Sequence, residues 1–196
     1  MADTPETPQV PPEPPASAKP PVPAKPKLDP VEEKLRRPVE SPALEALKSA
    51  LPDAVIESGC YAGEVSVLVP KERIVEVLRF LHDDPRTAFD LLADQTAADY
   101  PKREKRFDIV YHLYSIPRNH RLRVRVRVGD GEALASATAV YHAADWHERE
   151  IFDLFGVTFE GHPELKRILL PDEWEGHPLR KEYPLEGFPE QHMRLR

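Results

Sequence analysis

The spacing of apolar positions changes several times along this chain, and each change predicts an element. Leu44, Leu47 and Leu51 predict a short helix with Ser41 as N-cap, Pro42 at its first position and a stop at Pro52. Apolar runs at 54–60 and Glu64–Val69, with Gly63 between them, predict two strands joined by a turn. Ile74, Val77, Leu78 and Leu81 then fall at i, i+3, i+4 and i+7, an amphipathic helix ending before Pro85.

From residue 107 the period is two. Phe107, Ile109, Tyr111 and Leu113 share one face, and Asp108, Val110, His112 and Tyr114 the other. After a turn at 116–119, Leu122, Val124, Val126 and Val128 alternate with Arg121, Arg123, Arg125 and Arg127. The pattern predicts a long antiparallel hairpin. Matching its apolar faces places Asp108 opposite Arg127 and His112 opposite Arg123. Gly129 and Gly131 close this strand, residues 135–141 predict another, and 143–155 predict a helix stopped by Gly156. Beyond Val157 no period survives. Leu165, residues 168–170, Trp174, Leu179, Tyr183 and Phe188 stand among prolines 163, 171, 178, 184 and 189, which predicts a strip laid across another surface.

Composition divides the chain further. Thirteen of the 23 prolines lie in the first 42 residues, where almost no aromatic or branched apolar residue precedes Val31. Such a segment buries too little surface to offset its ordering entropy, so residues 1–42 are expected to form a disordered, partly polyproline-II arm. The rest has the length of one domain. No apolar run exceeds three residues, so no segment reads as a membrane span. The N-terminus lacks a secretory apolar region and has no arginine before Arg36, unlike a mitochondrial presequence. A single cysteine, Cys60, excludes an internal disulfide and any cluster held by several cysteines of this chain. A reducing cytoplasm is the simplest setting. A net charge of -7 argues against a general nucleic-acid binder.

Catalytic motifs are absent. Neither GxGxxG, a phosphate loop nor a G-x-S-x-G elbow occurs. His147-Glu148 opens like a zinc-protease motif, but Ile151 stands where the second histidine is needed. The remaining histidines (82, 112, 120, 142, 162, 177 and 192) lack a recognised ligand spacing and read as surface or hydrogen-bonded residues. Two features stand out instead. The arginine row, with Lys102, Arg103, Lys105 and Arg106 upstream, reads either as a solvated sheet face or as a grip for phosphates or a partner's carboxylates. On the helix over 143–155, Ala144, Ile151, Phe152, Leu154 and Phe155 gather on one side with Glu148 in their midst. Trp146 falls opposite, beside Asp153, Glu150 and Arg149. A core-facing Glu148 needs a basic partner or backbone N–H donors. An outward Trp146 reads as an interface anchor or as a residue covered by the C-terminal strip.

Glu148-Arg149-Glu150, then Asp153-Leu154-Phe155, then His162, Lys166 and Ile168-Leu169 form a specific constellation. It resembles the signature of the C subunit of the proton-translocating NADH-quinone oxidoreductase, respiratory complex I. The similarity extends through 106–115, 122–128, 161–163, 168–171 and 176–184, and spans about Leu44 to Leu185. The resemblance implies an α+β fold: a two-layer domain over 43–160 with a mixed or antiparallel sheet and helices on one face, and an irregular partner-binding segment over 161–196. That segment would wrap the large D subunit, with Trp146, Trp174, His177, Arg180, Lys181 and Tyr183 as partner-binding residues. The resemblance also implies a peripheral subunit on the cytoplasmic side of the bacterial inner membrane, without catalytic, cofactor-binding or metal-binding residues of its own. FMN and iron–sulfur clusters would lie in partner subunits. Related subunits serve membrane hydrogenases and dehydrogenases with other electron donors, which is the alternative reading. A stand-alone nucleic-acid module is a third. The proline-rich arm lies outside the resemblance.

Overall fold

The computed structural model describes residues 41–187. The expected arm therefore falls outside the described residues except for Ser41 and Pro42, as do Phe188 and Pro189 of the strip.

Helix α1 (Pro42–Ala50) begins where Ser41 turns the chain from an extended conformation. The Ser41 carbonyl accepts from Glu45 N–H at 3.0 Å, although its hydroxyl makes no cap bond. Pro52 ends the helix, and one 3₁₀ turn (Pro52–Ala54) buries Ala54, so strand β1 (Glu57–Tyr61) starts three residues later than the apolar run suggested. Ala62 and Gly63, both at positive φ, form the tight turn into β2 (Glu64–Val69). Their conformation matches the right-handed twist of the strands they join. Helix α2 (Ile74–Asp83) follows a 3₁₀ turn and buries Ile74, Val77, Leu78 and Leu81, the four positions its period marked.

Strand β3 (Leu91–Asp99) was not expected. β4 (Phe107–Ser115) and β5 (His120–Val128) form the anticipated hairpin, with Asp108 opposite Arg127 and His112 opposite Arg123. The five strands order as β1-β2-β5-β4-β3. The sheet is mixed, because β2 and β5 run parallel while the other neighbours are antiparallel. α1, α2 and helix α3 (Ala144–Phe155) contribute Leu47, Leu78 and Ile151 to one core with Val67, Ile109, Tyr111, Val124 and Val126 of the sheet. The fold class is thus α+β, with the helices on one sheet face.

Residues 135–141 do not make the expected strand. Strand β6 stops at Ala135 (Ala133–Ala135) and pairs in parallel with β7 (Thr158–Glu160), another strand not expected. Beyond it, Ser136 and Ala137 turn their hydroxyl and amide toward Glu148, and the chain coils through 137–141. Tyr141 is buried in the core and donates its hydroxyl to the Phe89 carbonyl, two residues before β3, at 2.7 Å.

Candidate functional site

Helix α3 sets two carboxylates into the protein. Glu148 lies near its middle, fully buried against β3 and the coil after β6. One oxygen accepts the Ala137 N–H at 2.7 Å and the other the Ser136 hydroxyl at 2.6 Å. Of the two partners the sequence allowed, a basic residue or backbone N–H donors, the structure uses a backbone N–H and adds a hydroxyl. Burial pushes the Glu148 carboxyl above its usual range, and these two hydrogen bonds only partly offset the effect. Burial likewise raises the Tyr111 hydroxyl, with the Glu148 charge adding to it.

Asp153 lies in the last turn and is also buried. The helical pattern had placed it outward beside Trp146. The C-terminal strip reverses this by closing over it. Its Oδ2 accepts three consecutive backbone N–H groups, from Ile168, Leu169 and Leu170, at 2.9–3.1 Å. Its Oδ1 receives Arg167 at 2.6 Å. Burial works against the charge, but the donors from Leu170, Leu169, Arg167 and Ile168 together hold the carboxyl below its ordinary range.

Around this clamp the signature residues divide the labour. Arg149 donates to the carbonyls of Lys166 and Arg167 at 3.1 Å and thereby fixes the strip beside the helix. His162 accepts the Glu164 N–H on Nδ1 at 3.0 Å, so its proton sits on Nε2, 3.1 Å from the Asp145 carbonyl. Lys166 pairs on the surface with Glu164 at 2.7 Å, and Glu150 is exposed. Leu154 is half-buried and its carbonyl accepts Leu179 N–H; Phe155 is buried edge-on against Phe107.

The residues expected to bind a partner have in-chain contacts as well. His177 Nδ1 lies 2.8 Å from the Asp153 carbonyl, and Arg180 donates to the Phe155 carbonyl at 2.6 Å. Gly156 must be glycine at this crossing. Its φ is +75°, and a Cβ would come within 2.5 Å of His177. Farther on, Lys181 N–H donates to Asp99 at 2.8 Å. Asp99 forms two 2.7 Å bonds with Arg106, whose guanidinium also reaches Asp130 and Glu182. The Arg106 guanidinium holds the Asp99 carboxyl below its ordinary range. Trp174 is half-buried, its carbonyl bonded to Arg167 at 2.9 Å, and Tyr183 donates its hydroxyl to the Glu175 carbonyl. Trp146 alone of this set stands clear, 63% exposed, with the Arg149 guanidinium 5.5 Å from its ring. The strip does not cover it.

Sequence reasoning missed Asp99 and Arg167, and it gave Ser136 and Arg106 no part in this site. One signal existed: a carboxylate in the last turn of a helix opposes the macrodipole, so Asp153 needed dedicated donors. Among the described residues no group of three or more histidines, cysteines or carboxylates is placed to hold a metal ion, and no helix is long and apolar enough to cross a membrane.

The chain is similar to known proteins over most of its length. The family model described as Respiratory-chain NADH dehydrogenase, 30 Kd subunit, matches residues 67–189. The NADH-quinone oxidoreductase C subunit of Roseiflexus sp. (strain RS-1) is 49% identical over 143 residues, covering 72% of this chain and 82% of that protein. The corresponding C subunit of Caulobacter sp. (strain K31) is 45% identical over 159 residues, covering 77% and 74%. Among solved structures, a chain of the membrane-bound sulfane sulfur reductase, an archaeal respiratory membrane complex, superposes with a TM-score of 0.62 at 25% identity, covering 78% of this chain and 87% of that one. With the family model matching most of the chain and the named C subunits nearly half identical over about three quarters of it, the chain is a member of the respiratory-chain NADH dehydrogenase 30 Kd subunit family.

Proposed function

We propose that this chain is a structural subunit of the peripheral arm of a proton-pumping NADH-quinone oxidoreductase. In such a complex electrons pass from NADH through FMN and iron–sulfur centres to a quinone, and this transfer drives proton translocation. The flavin and clusters belong to partner subunits. This chain supports assembly and docks on the large D subunit, at the cytoplasmic side of the bacterial inner membrane, held there through the complex. The observation that carries the reading is the near-half identity to named C subunits across about three quarters of the chain. The in-chain duties of Glu148 and Asp153 support a structural role for the signature, since each carboxylate is consumed by hydrogen bonds that shape α3 and the strip. The test is affinity capture of the tagged native chain from solubilised membranes, with its neighbours identified by mass spectrometry. Recovery of a D subunit and a flavin-binding NADH subunit is expected.

A second reading has one observation behind it, the superposition on a chain of a sulfane sulfur reductase complex. There the adaptor role persists and NADH is replaced by another electron donor. Capture of a partner resembling the D subunit, without a flavin-binding NADH subunit, would favour it.

A further inference from the structure

The sheet face opposite the helices has no helix on it among the described residues. Its centre is the arginine row of β5. Asp108, only 5% exposed, is the sole carboxylate in the middle of this face among those residues, and three guanidiniums share it: Arg103 at 3.3 Å, Arg127 at 3.6 Å and Arg125 at 4.0 Å. Arg125 has neutral neighbours on both sides, Leu68 of β2 and Val110 of β4. Arg123 pairs with Glu64 at 2.5 Å, and Arg127 also reaches Glu57 at 3.9 Å. Arg121 has no carboxylate within ion-pair reach among the described residues, only the Tyr114 ring at 5.8 Å. A hollow of about 250 Å³ opens beside it, lined by Glu64, His112, Tyr114, Arg121 and Arg123 among others. A chain with a net charge of -7 thus concentrates unneutralised positive charge on one uncovered face.

We propose that this face seats an acidic helix of a neighbouring protein subunit, its carboxylates meeting the arginines of β5. Alternate residues of a strand stand about 6.8 Å apart, and carboxylates one helical turn apart, at i, i+4 and i+8, stand about 6 Å apart. The two rows therefore match over three or four residues, and guanidinium–carboxylate pairing supplies orientation. Nucleic acid fits less well. Of the hairpin's Phe107, Tyr111 and Tyr114, the first two are buried among the core residues and only Tyr114 lies beside the row, so the hairpin offers bases little stacking surface. The proposal rests on the reading of this chain as part of a multi-subunit complex, but it concerns a surface separate from the strip.

The test is arginine footprinting with phenylglyoxal on the full chain alone and within the solubilised native complex, each arginine quantified by mass spectrometry. Arg121 and Arg123 should react about fivefold more slowly in the complex, as residues in the core of an interface do. Equal rates would overturn the proposal. Protection that disappears after nuclease treatment would assign the face to nucleic acid, and protection already present in the free chain would assign it to this chain's own termini; either result overturns it. Arg121→Glu, a change outside the Asp108 cluster, should lower retention in salt-washed complex about tenfold, with Arg121→Lys close to wild type. Unchanged retention of Arg121→Glu counts against the proposal. Co-purification without protection overturns this inference alone, whereas a chain that co-purifies with nothing overturns the subunit reading too.

Discussion

The two buried carboxylates of α3 sit five residues apart on one helix and solve the same problem in opposite ways. Glu148 meets two neutral donors in an apolar setting, and its proton affinity rises. Asp153 meets three backbone amides and a guanidinium, and its proton affinity falls. The difference shows that burial alone does not set the charge of an acid; the number and charge of its donors do. It also separates two tasks. Glu148 shapes the coil after β6, and Asp153 holds the strip.

Substitutions test that separation. Asp153→Ala strands Arg167 and three amides, and should cost about 3–5 kcal/mol, the usual penalty for breaking a buried pair. Urea unfolding measures the loss, and limited proteolysis should cut residues 164–187 far faster. Glu148→Ala should cost about 2–4 kcal/mol through a cavity and orphaned donors, with the strip no more sensitive to protease than in wild type. It should impair folding or complex assembly rather than turnover, so a fully assembled and equally stable mutant complex without turnover would overturn the structural role. Gly156→Ala, which meets both the positive φ and His177, should cost about 1–3 kcal/mol and loosen only the strip. Glu148→Gln should cost about 1 kcal/mol, because its amide oxygen can still accept the Ala137 N–H while its NH2 takes the place of the second oxygen and donates to a reoriented Ser136 hydroxyl.

The pH dependence sharpens the contrast. Asp153 and Asp99 have lowered carboxyls, so their stabilisation is present above the ordinary aspartate pKa and is lost as pH falls through their folded values. Glu148 has a raised carboxyl, so the fold is favoured below the ordinary glutamate pKa and loses that stability as pH rises through the folded value. Glu148→Gln should abolish the second loss and leave the first. A denaturation midpoint measured across pH 3–8 in both proteins checks this; the same slope above about pH 4.3, the ordinary glutamate value, would break the comparison. The smallest effect belongs to Trp146→Ala, expected within about 0.5 kcal/mol because the ring is exposed.

Local pattern made much of this legible. The β4–β5 register followed from alternation, and the burial of Glu148 from its angle on the helix. What escaped depended on distant chain. β3 reads Leu-Leu-Ala-Asp-Gln-Thr-Ala-Ala-Asp, with poor strand formers and a bulge after Leu92, and its core-facing positions include Gln95 and Asp99. Those polar residues are buried because α3 and the strip cover them. Asp153 was misplaced for the same reason, since its partners lie 14–17 residues farther on. Asp99 finds Lys181 across 82 residues, a distance no periodicity can report.

The parallel pairing of β2 with β5 has a consequence for the order in which the molecule is made. During synthesis β1, β2 and α2 leave the ribosome first, yet β2 has no inner neighbour until β5 emerges. The β4–β5 hairpin is local and can close at once, whereas the central parallel seam must wait and closes a long loop. The strip emerges after all five strands, and one of its anchors is Asp99 at the end of β3. A neighbour that recognises the strip in its docked shape consequently meets only chains whose sheet is complete, which makes this segment, translated after every strand of the sheet, an inspection tag for them.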